Sequence, residues 1–438
     1  MKVLQISTVC GRGSVGRIAV DIYHTLEECK DQCLIAYGRG DAPEDVEAFR
    51  FGTDLQVGLH VLSTFFKGEH GFSSAGATRE LIGRIRRWDP DVIQLHNIHG
   101  FVLQTELLFD YLKQAGKPVV WTLHDCWPYT GHCAFYDYNG CAGWKSGCAG
   151  CKEYRRTYPY ALFRNHTEQN YRRKRAAFTG VPRLTIVTPS GWLAGQVGQS
   201  FLKDYPVRVI PNGIDREIFR PDAGTDLPAD AEGTVSPASA GKDRAADADR
   251  SGGLAGQRQE SLRERLGLAD RFVVLGVANV WERRKGLDYF VRLAGRLPEG
   301  FRIVLIGLNA GQRRRLPDNI LGLGRTGSAR ELAEYYAMAD VFVNATLEDN
   351  FPTTNLEALS CGTPVITFDT GGSPESLTEE CGRVVPKGDE DSLFEAVLRE
   401  REDPRSREAC LARAQQYEKR DRFREYVELY HSLCGQGE

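Results

Sequence analysis

No stretch of this 438-residue chain approaches the apolar length a helix needs to cross a bilayer. The opening MKVLQIST is too short and too polar for a secretory leader, so the expectation is a cytoplasmic protein whose nearest lipid is the inner face of the membrane. Charge of one sign is also lacking. With 56 Lys and Arg against 59 Asp and Glu the net charge is -3, which gives no global reason to expect nucleic acid as a partner. A third lack is local: residues 222–259 are rich in Ala, Gly, Asp and Ser and almost devoid of large apolar side chains. Such a segment buries too little surface to offset its ordering entropy, and it reads as a disordered insertion between two ordered halves.

Those halves alternate strand-like and helix-like patterns. VLQIS, DVIQLH, PVVWTLHD, LTIVTPS and VRVIPN punctuate helical segments up to about Asn212; a second series runs FVVLGVA, FRIVLIG, VFVNAT, PVITFD and GRVVP from Phe272. Regular βα alternation predicts α/β structure, with two facing Rossmann-like doubly wound domains at 1–212 and 260–415. An amphipathic helical segment, 416–438, ends the chain.

Ligands in open parallel sheets bind beyond the carboxyl ends of the strands, so residues just past strand ends are the candidates. After VFVNAT come Glu348 and Asp349, then a helix that Thr353 or Thr354 can cap and that carries Glu357. Gly362 and Pro364 stop it, and Gly371 and Gly372 form the turn after the next strand, offering N–H groups to phosphate. CGRGSVGRIA after the first strand lets Gly13, Ser14 and Gly16 bring backbone close to a ligand, although a plain tight turn has the same composition. NVWERRKGLDYF clusters Arg284 and Lys285 beside Gly286, a cationic turn suited to a diphosphate leaving group or simply to solvent. His124 and Asp125 end PVVWTLHD, and His96, Asn97 and His99 follow DVIQL, placing them toward an acceptor side or, for the histidines, in the core.

The chain has 12 cysteines, and in a reducing compartment these are thiols or metal ligands rather than a disulfide framework. Five of them fall in a loop at 126–151. Cys148 and Cys151 form a C-x-x-C pair that Cys133 and Cys141 would complete as a four-thiolate structural zinc site; buried thiols or disulfides are the competing readings. The following KEYRRTYPYALFRNHTEQNYRRKRAAF interleaves cations and aromatics, as on a peripheral membrane surface or on a solvated helix.

The acidic segment, the R-K-G turn, the PNGID sequence at 211–215 and the opening glycine motif together resemble the family 4 retaining glycosyltransferases of the GT-B type. In that family two Glu separated by seven positions precede A-x-x-x-G-x-P-V-I; here Glu357 matches the second, Asp349 has the spacing of the first, and Glu348 lies one position further away. The resemblance implies a hexosyltransferase using a UDP- or GDP-linked sugar and a saccharide or lipid-linked saccharide acceptor, with retention of configuration, in polysaccharide biosynthesis. It implies Glu357 on the ribose, Lys285 and Arg284 on the diphosphate, backbone at Gly371 and Gly372 on the same group, and Glu348 or Asp349 on the sugar. Gly13, Ser14 and Gly16 would approach the donor, His124 the transferred sugar, and Asp125, His96 and Asn97 the acceptor. It further implies an interdomain cleft, a last helix that crosses back to the first domain, and no cofactor required for catalysis. A nucleotide-sugar epimerase of similar fold and a non-catalytic sugar-nucleotide binding protein are the alternatives.

Overall fold

The structure is a computed structural model and describes residues 1–223 and 261–435. Apart from Asp222 and Ala223, the insertion inferred at 222–259 lies outside the described residues. The first half carries strands β1 (Lys2–Val9), β2 (Gln32–Arg39), β3 (Ala48–Arg50), β4 (Val92–Leu95), β5 (Val119–Thr122), β6 (Leu184–Thr188) and β7 (Val207–Val209). Its helices are α1 (Gly13–Glu28), α2 (Asp54–Lys67), α3 (Ala75–Trp88), α4 (Thr105–Ala115), α5 (Thr167–Phe178) and α6 (Gly191–Val197). The second half has β8 (Phe272–Val277), β9 (Phe301–Ile306), β10 (Ile320–Gly322), β11 (Val341–Asn344), β12 (Val365–Phe368) and β13 (Gly382–Val385). Around them run α7 (Leu262–Arg265), α8 (Leu287–Ala294), α9 (Ala310–Arg313), α10 (Ala329–Met338), α11 (Thr353–Ser360), α12 (Glu390–Glu402), α13 (Arg407–Gln415) and α14 (Lys419–Gly435).

Two parallel sheets result, in the orders β3-β2-β1-β4-β5-β6-β7 and β10-β9-β8-β11-β12-β13. The expected pair of doubly wound α/β domains is therefore present. Both sheets are covered on both faces, which is why their central strands read as nearly continuous apolar runs rather than as alternating ones. In the first sheet Leu4, Ile6, Ile93, Leu95 and Trp121 pack on α3, α4 and α5 through Leu81, Leu108, Phe109 and Phe178. On its opposite face Val3, Ile35, Val92 and Val120 pack on α1 through Ile18 and Ile22. In the second sheet Leu275, Val304 and Phe342 face α10 and α11, whereas Ile303, Leu305 and Val343 face α8 and α12.

Helix α14 closes that opposite face of the first sheet, although it follows the second domain in sequence. Phe423, Tyr426, Val427 and Tyr430 join the cluster around Ile18 and Val120, and the Tyr430 hydroxyl donates to Gln94 Oε1 at 2.9 Å. A fully buried side chain of this size is worth about 1.5–3 kcal/mol, so α14 ties the two halves firmly. The two chain crossings lie side by side: Ile214 N–H donates to the Tyr417 carbonyl at 2.8 Å, and Lys419 N–H returns to the Ile214 carbonyl at 3.1 Å. A β-carbon on Gly213 would lie 2.6 Å from Lys419 Cα, so the PNGID crossing needs glycine to approach the other strand of the hinge.

Candidate active site

Between the domains lies a cleft of about 810 Å³, bounded by the carboxyl ends of β1, β4 and β5 on one side and of β8, β9 and β11 on the other. That volume falls in the range of about 300–1,000 Å³ typical of small-molecule sites. From the second domain it is lined by Arg284, Lys285, Asp349, Thr353, Thr354 and Glu357, and from the first by Gly13, Ser14, Arg17, Asn97, His124 and Asp125.

The acidic loop between β11 and α11 divides its neighbours between two sides. Asp349 faces the cleft and pairs with Lys285 at 2.6 Å. Burial alone would raise the Asp349 carboxyl, but Lys285 and Arg284 outweigh it and hold its pKa below the ordinary value. Burial likewise lowers the Lys285 ammonium, against the pull of Asp349. Glu348 points the other way. It is fully buried and accepts from the backbone N–H groups of Tyr136 (3.1 Å) and Tyr138 (3.0 Å), both in the loop of the opposite domain. Burial pushes its carboxyl up to about 7, with the two N–H bonds pulling back. Of the two candidate acids only Asp349 lines the cleft; Glu348 fastens the domains together instead of touching a ligand.

Pro352, not Thr353 or Thr354, occupies the N-cap position of α11 and supplies no side-chain cap, so the helix start at Thr353 presents a positive end to the cleft. One turn in, Glu357 accepts from the Tyr336 hydroxyl at 2.9 Å. Burial raises its carboxyl, and Arg17 on α1 pulls it back from across the cleft. Arg284 donates to the Glu348 carbonyl at 2.6 Å, pairs with Glu282 at 2.8 Å and lies 3.8 Å over the Phe135 ring of the first domain.

Gly371 and Gly372 have a different place from the one expected. The Gly372 N–H donates to the Asp349 carbonyl at 3.1 Å, and a β-carbon on Gly371 would lie 1.9 Å from that oxygen. Neither glycine lines the cleft. They shape the acid loop from behind, because nothing bulkier fits under Asp349 and Asn350. Gly16 is likewise set back: its carbonyl accepts from the Gly11 N–H at 3.0 Å and a β-carbon there would lie 3.1 Å from that nitrogen, and Gly13 and Ser14 alone of the three reach the cleft.

On the first domain His124 lines the cleft while His96 is buried behind it. Gln5 donates its amide to the Ala19 carbonyl at 2.8 Å, so its Oε1, 2.8 Å from His96 Nε2, accepts from that nitrogen. His96 Nδ1 is then the acceptor 3.1 Å from His124 Nε2. This relay puts the His124 proton on Nε2 and leaves Nδ1 as an acceptor. Burial lowers His124 to about 4, Asp125 opposing, so the ring is neutral at physiological pH. His96 thus orients His124 from a buried position behind the cleft lining, not the cleft-facing place expected for it. Asp125 pairs with His99 at 3.0 Å and accepts from the Trp127 N–H at 2.9 Å; burial raises its carboxyl, but His99 outweighs that and holds the pKa low.

In the cysteine loop, burial first and then Cys148, Cys151 and Cys141 push the Cys133 thiol up, so the four cysteines expected as ligands lie near one another. Cys133, Cys141, Cys148 and Cys151 are free thiols, and among the described residues no group of three or more His, Cys, Asp or Glu side chains is arranged to hold a metal ion. The Cys148 sulfur accepts from the Gly131 N–H at 3.1 Å, and packing of Tyr129, Tyr136 and Trp144 shapes the loop. Cleft residues that escaped the sequence reading include Arg17 and Asn212. Arg17 was discoverable, because it sits four positions after Gly13 and three after Ser14 on one face of α1. Asn212, which donates to the Phe351 carbonyl at 3.0 Å, had only its PNGID context.

Comparison with known proteins matches residues 15–218 to Glycosyltransferase Family 4 and residues 271–403 to Glycosyl transferases group 1. WcaC of Escherichia coli K12, named for colanic acid biosynthesis as a glycosyl transferase, is 27% identical over 303 residues, 68% of this chain and 64% of WcaC. The chain thus spans less than two thirds of the curated relatives it matches first. Among solved structures, sucrose-phosphate synthase of Thermosynechococcus elongatus superposes with a TM-score of 0.67 at 16% identity, covering 100% of both chains. Anabaena HepE in complex with UDP-glucose gives a TM-score of 0.63 at 15% identity over 99% of this chain and 100% of that one.

Proposed function

Because the chain belongs to the glycosyltransferases of family 4 and group 1 type, we propose that it moves a hexose from a UDP- or GDP-linked donor to a saccharide or lipid-linked saccharide acceptor, with retention, in polysaccharide biosynthesis. The observation that carries the donor reading is the convergence of Lys285, Arg284 and the start of α11 on a cleft that Glu357 and Asp349 also line. Two cations and a helix N-terminus suit a diphosphate; a buried carboxylate one turn along suits the ribose hydroxyls. HepE, whose structure holds UDP-glucose, shares the fold. WcaC is the relative that motivates the polysaccharide setting.

As the bond from the anomeric carbon to phosphate breaks, charge builds on the leaving diphosphate, and Lys285 and Arg284 stabilise it in place. The acceptor oxygen bonds to the same face of that carbon and its proton passes to the departing phosphate oxygen. The products are a glycoside and a nucleoside diphosphate. The carboxylates lining the cleft support this route over a covalent sugar-enzyme intermediate. Asp125 is engaged by His99, Glu282 by Arg284, Asp349 by Lys285 and Glu357 by Tyr336, so each already has a partner. His124 Nδ1 accepts from a hydroxyl of the transferred sugar, and closure of the domains keeps water from the anomeric carbon.

The test is turnover of a panel of UDP- and GDP-hexoses with glycan acceptors, reading nucleoside diphosphate release and the anomeric configuration of product by NMR. Release should depend on acceptor and preserve the donor's configuration. Lys285→Ala should lower kcat/KM by about 100-fold or more, and Glu357→Gln should weaken donor binding about 10-fold or more through a lost charged hydrogen bond. Unchanged rates and affinity in both variants would overturn the assignment.

A further inference from the structure

Helix α2 has its apolar stripe turned outward. Leu55, Leu59, Leu62 and Phe66 recur at the spacing of a core-facing side, yet they are 73, 58, 52 and 50% exposed. The side facing the domain carries His60 and Thr64 instead, with His60 bonded to Ser74 at 2.9 Å and to the Gly71 N–H at 3.2 Å. The chain at 160–164 extends the same surface. Leu162 donates its N–H to the Phe65 carbonyl at 2.9 Å, and Phe163 stacks on Phe66 with ring centroids 5.2 Å apart. Single exposed leucines are ordinary, but a contiguous apolar patch on a helix and its neighbouring loop marks a surface that meets something.

The rim of this patch is basic. Gly68, which ends α2, lies against the Arg164 backbone, and the Ala161 N–H donates to the Tyr154 carbonyl at 3.1 Å. Those contacts bring the 152–156 segment to the same edge, so Lys67, Lys152, Arg155, Arg156 and Arg164 are exposed around it, and Glu153 is the one acid between 152 and 164. An outward apolar stripe with a cationic border has the chemistry of an interfacial helix. At 14 residues α2 is about 21 Å long. This is shorter than the roughly 30 Å of a hydrocarbon core. Among the described residues no helix is long and apolar enough to cross a membrane. A second copy of the chain is a poorer fit, because twofold pairing through this face would set one basic rim against the other.

We propose that this face docks the first domain on an anionic lipid bilayer, with the α2 leucines and the Phe66 and Phe163 pair set into the headgroup boundary and the basic rim against lipid phosphates. The docking concerns where the enzyme works and holds whichever sugar it transfers. Flotation of the full chain with vesicles tests it. The chain should rise with phosphatidylglycerol-rich vesicles, stay behind with pure phosphatidylcholine, and bind less as salt increases. A Leu59→Ser, Phe66→Ser double variant should partition at least about tenfold more weakly. An Arg155→Gln, Arg156→Gln variant should lose about fivefold per charge on anionic vesicles. Both should keep the melting temperature of the parent, since these side chains are exposed. Failure of the parent chain to float with anionic vesicles, or apolar and basic variants that bind as well as it does, would overturn the proposal. So would a dimer of the parent, seen by light scattering, that the apolar variant dissolves while vesicle binding stays unchanged. Transfer to a soluble glycan acceptor in the absence of vesicles separates a failure of docking from a failure of the proposed chemistry.

Discussion

Replacing Glu348 by Gln isolates a carboxylate that reaches from the second domain to the Tyr136 and Tyr138 backbone of the first. Two effects compete there. The N–H groups of Tyr136 and Tyr138 favour the ionised form, and complete burial disfavours it. Burial wins, moving the pKa from 4.5 to about 7. At 1.36 kcal/mol per tenfold in proton affinity, that rise is worth about 3 kcal/mol. The sign follows from proton counting: between pH 4.5 and about 7 the folded protein holds a proton on Glu348 that the unfolded chain has released. Wild-type stability relative to Glu348→Gln therefore falls as pH rises through that window and levels off above it. The variant keeps one acceptor for one N–H and cannot titrate, so subtracting its curve removes every other titrating group. Urea unfolding at pH 5, 6, 7 and 8, followed by the fluorescence of the buried Trp127 and Trp144 in the adjacent loop, measures the difference. A difference that is flat with pH, or that grows in favour of wild type toward pH 8, refutes the reasoning, because it would mean that the two N–H bonds outweigh burial.

Two further expectations concern the parts that hold the site in place. Gly371→Ala puts a β-carbon where φ is +57° and the Asp349 carbonyl is 1.9 Å away. The acid loop must shift, costing about 1–3 kcal/mol by thermal or urea unfolding and lowering kcat/KM by about 100-fold; wild-type activity in this variant would show that Gly371 does not position Asp349. For His124, nitrogen chemical shifts of the imidazole should remain those of a neutral ring protonated on Nε2 from pH 8 down to about pH 5, because burial lowers its pKa to about 4. A midpoint near 6.5 would break the relay from Gln5 through His96.

Periodicity carried the fold, since βα alternation and doubly buried strands are properties of short stretches of sequence. What it could not carry is the direction of adjacent side chains. Glu348 and Asp349 are neighbours at a strand end, and so are His96 and Asn97; in each pair one residue enters the cleft and the other turns into protein. Successive side chains in extended backbone point to opposite sides, so one residue of register decides which is the ligand group and which the support. The spacing to Glu357 fits Asp349, which is the one of the two that lines the cleft, and only the opposing domain shows what Glu348 bonds to. The glycines at 371 and 372 were ambiguous for another reason. A turn that offers N–H groups to phosphate and a turn that simply leaves room for a neighbouring loop have the same composition. The crowding of Gly371 against Asp349 is a long-range fact.

The acid loop therefore serves two ends at once, and this links donor binding to closure. Arg284, one of the proposed diphosphate cations, is held by the Glu348 carbonyl and lies over Phe135 of the other domain. Asn350 donates to the His124 carbonyl at 2.7 Å, and Glu375 accepts from the Gly191 and Trp192 N–H groups at the start of α6. The contacts to Phe135, His124, Gly191 and Trp192 exist only with the domains together, and several radiate from the few residues that also line the cleft. A diphosphate that orders Arg284 and Lys285 favours the closed arrangement by its preference for that state over the open one. In the proposed reaction the same contacts bring His124 over the transferred sugar. Closure and assembly of the site are one event because residues 348–350 take part in both.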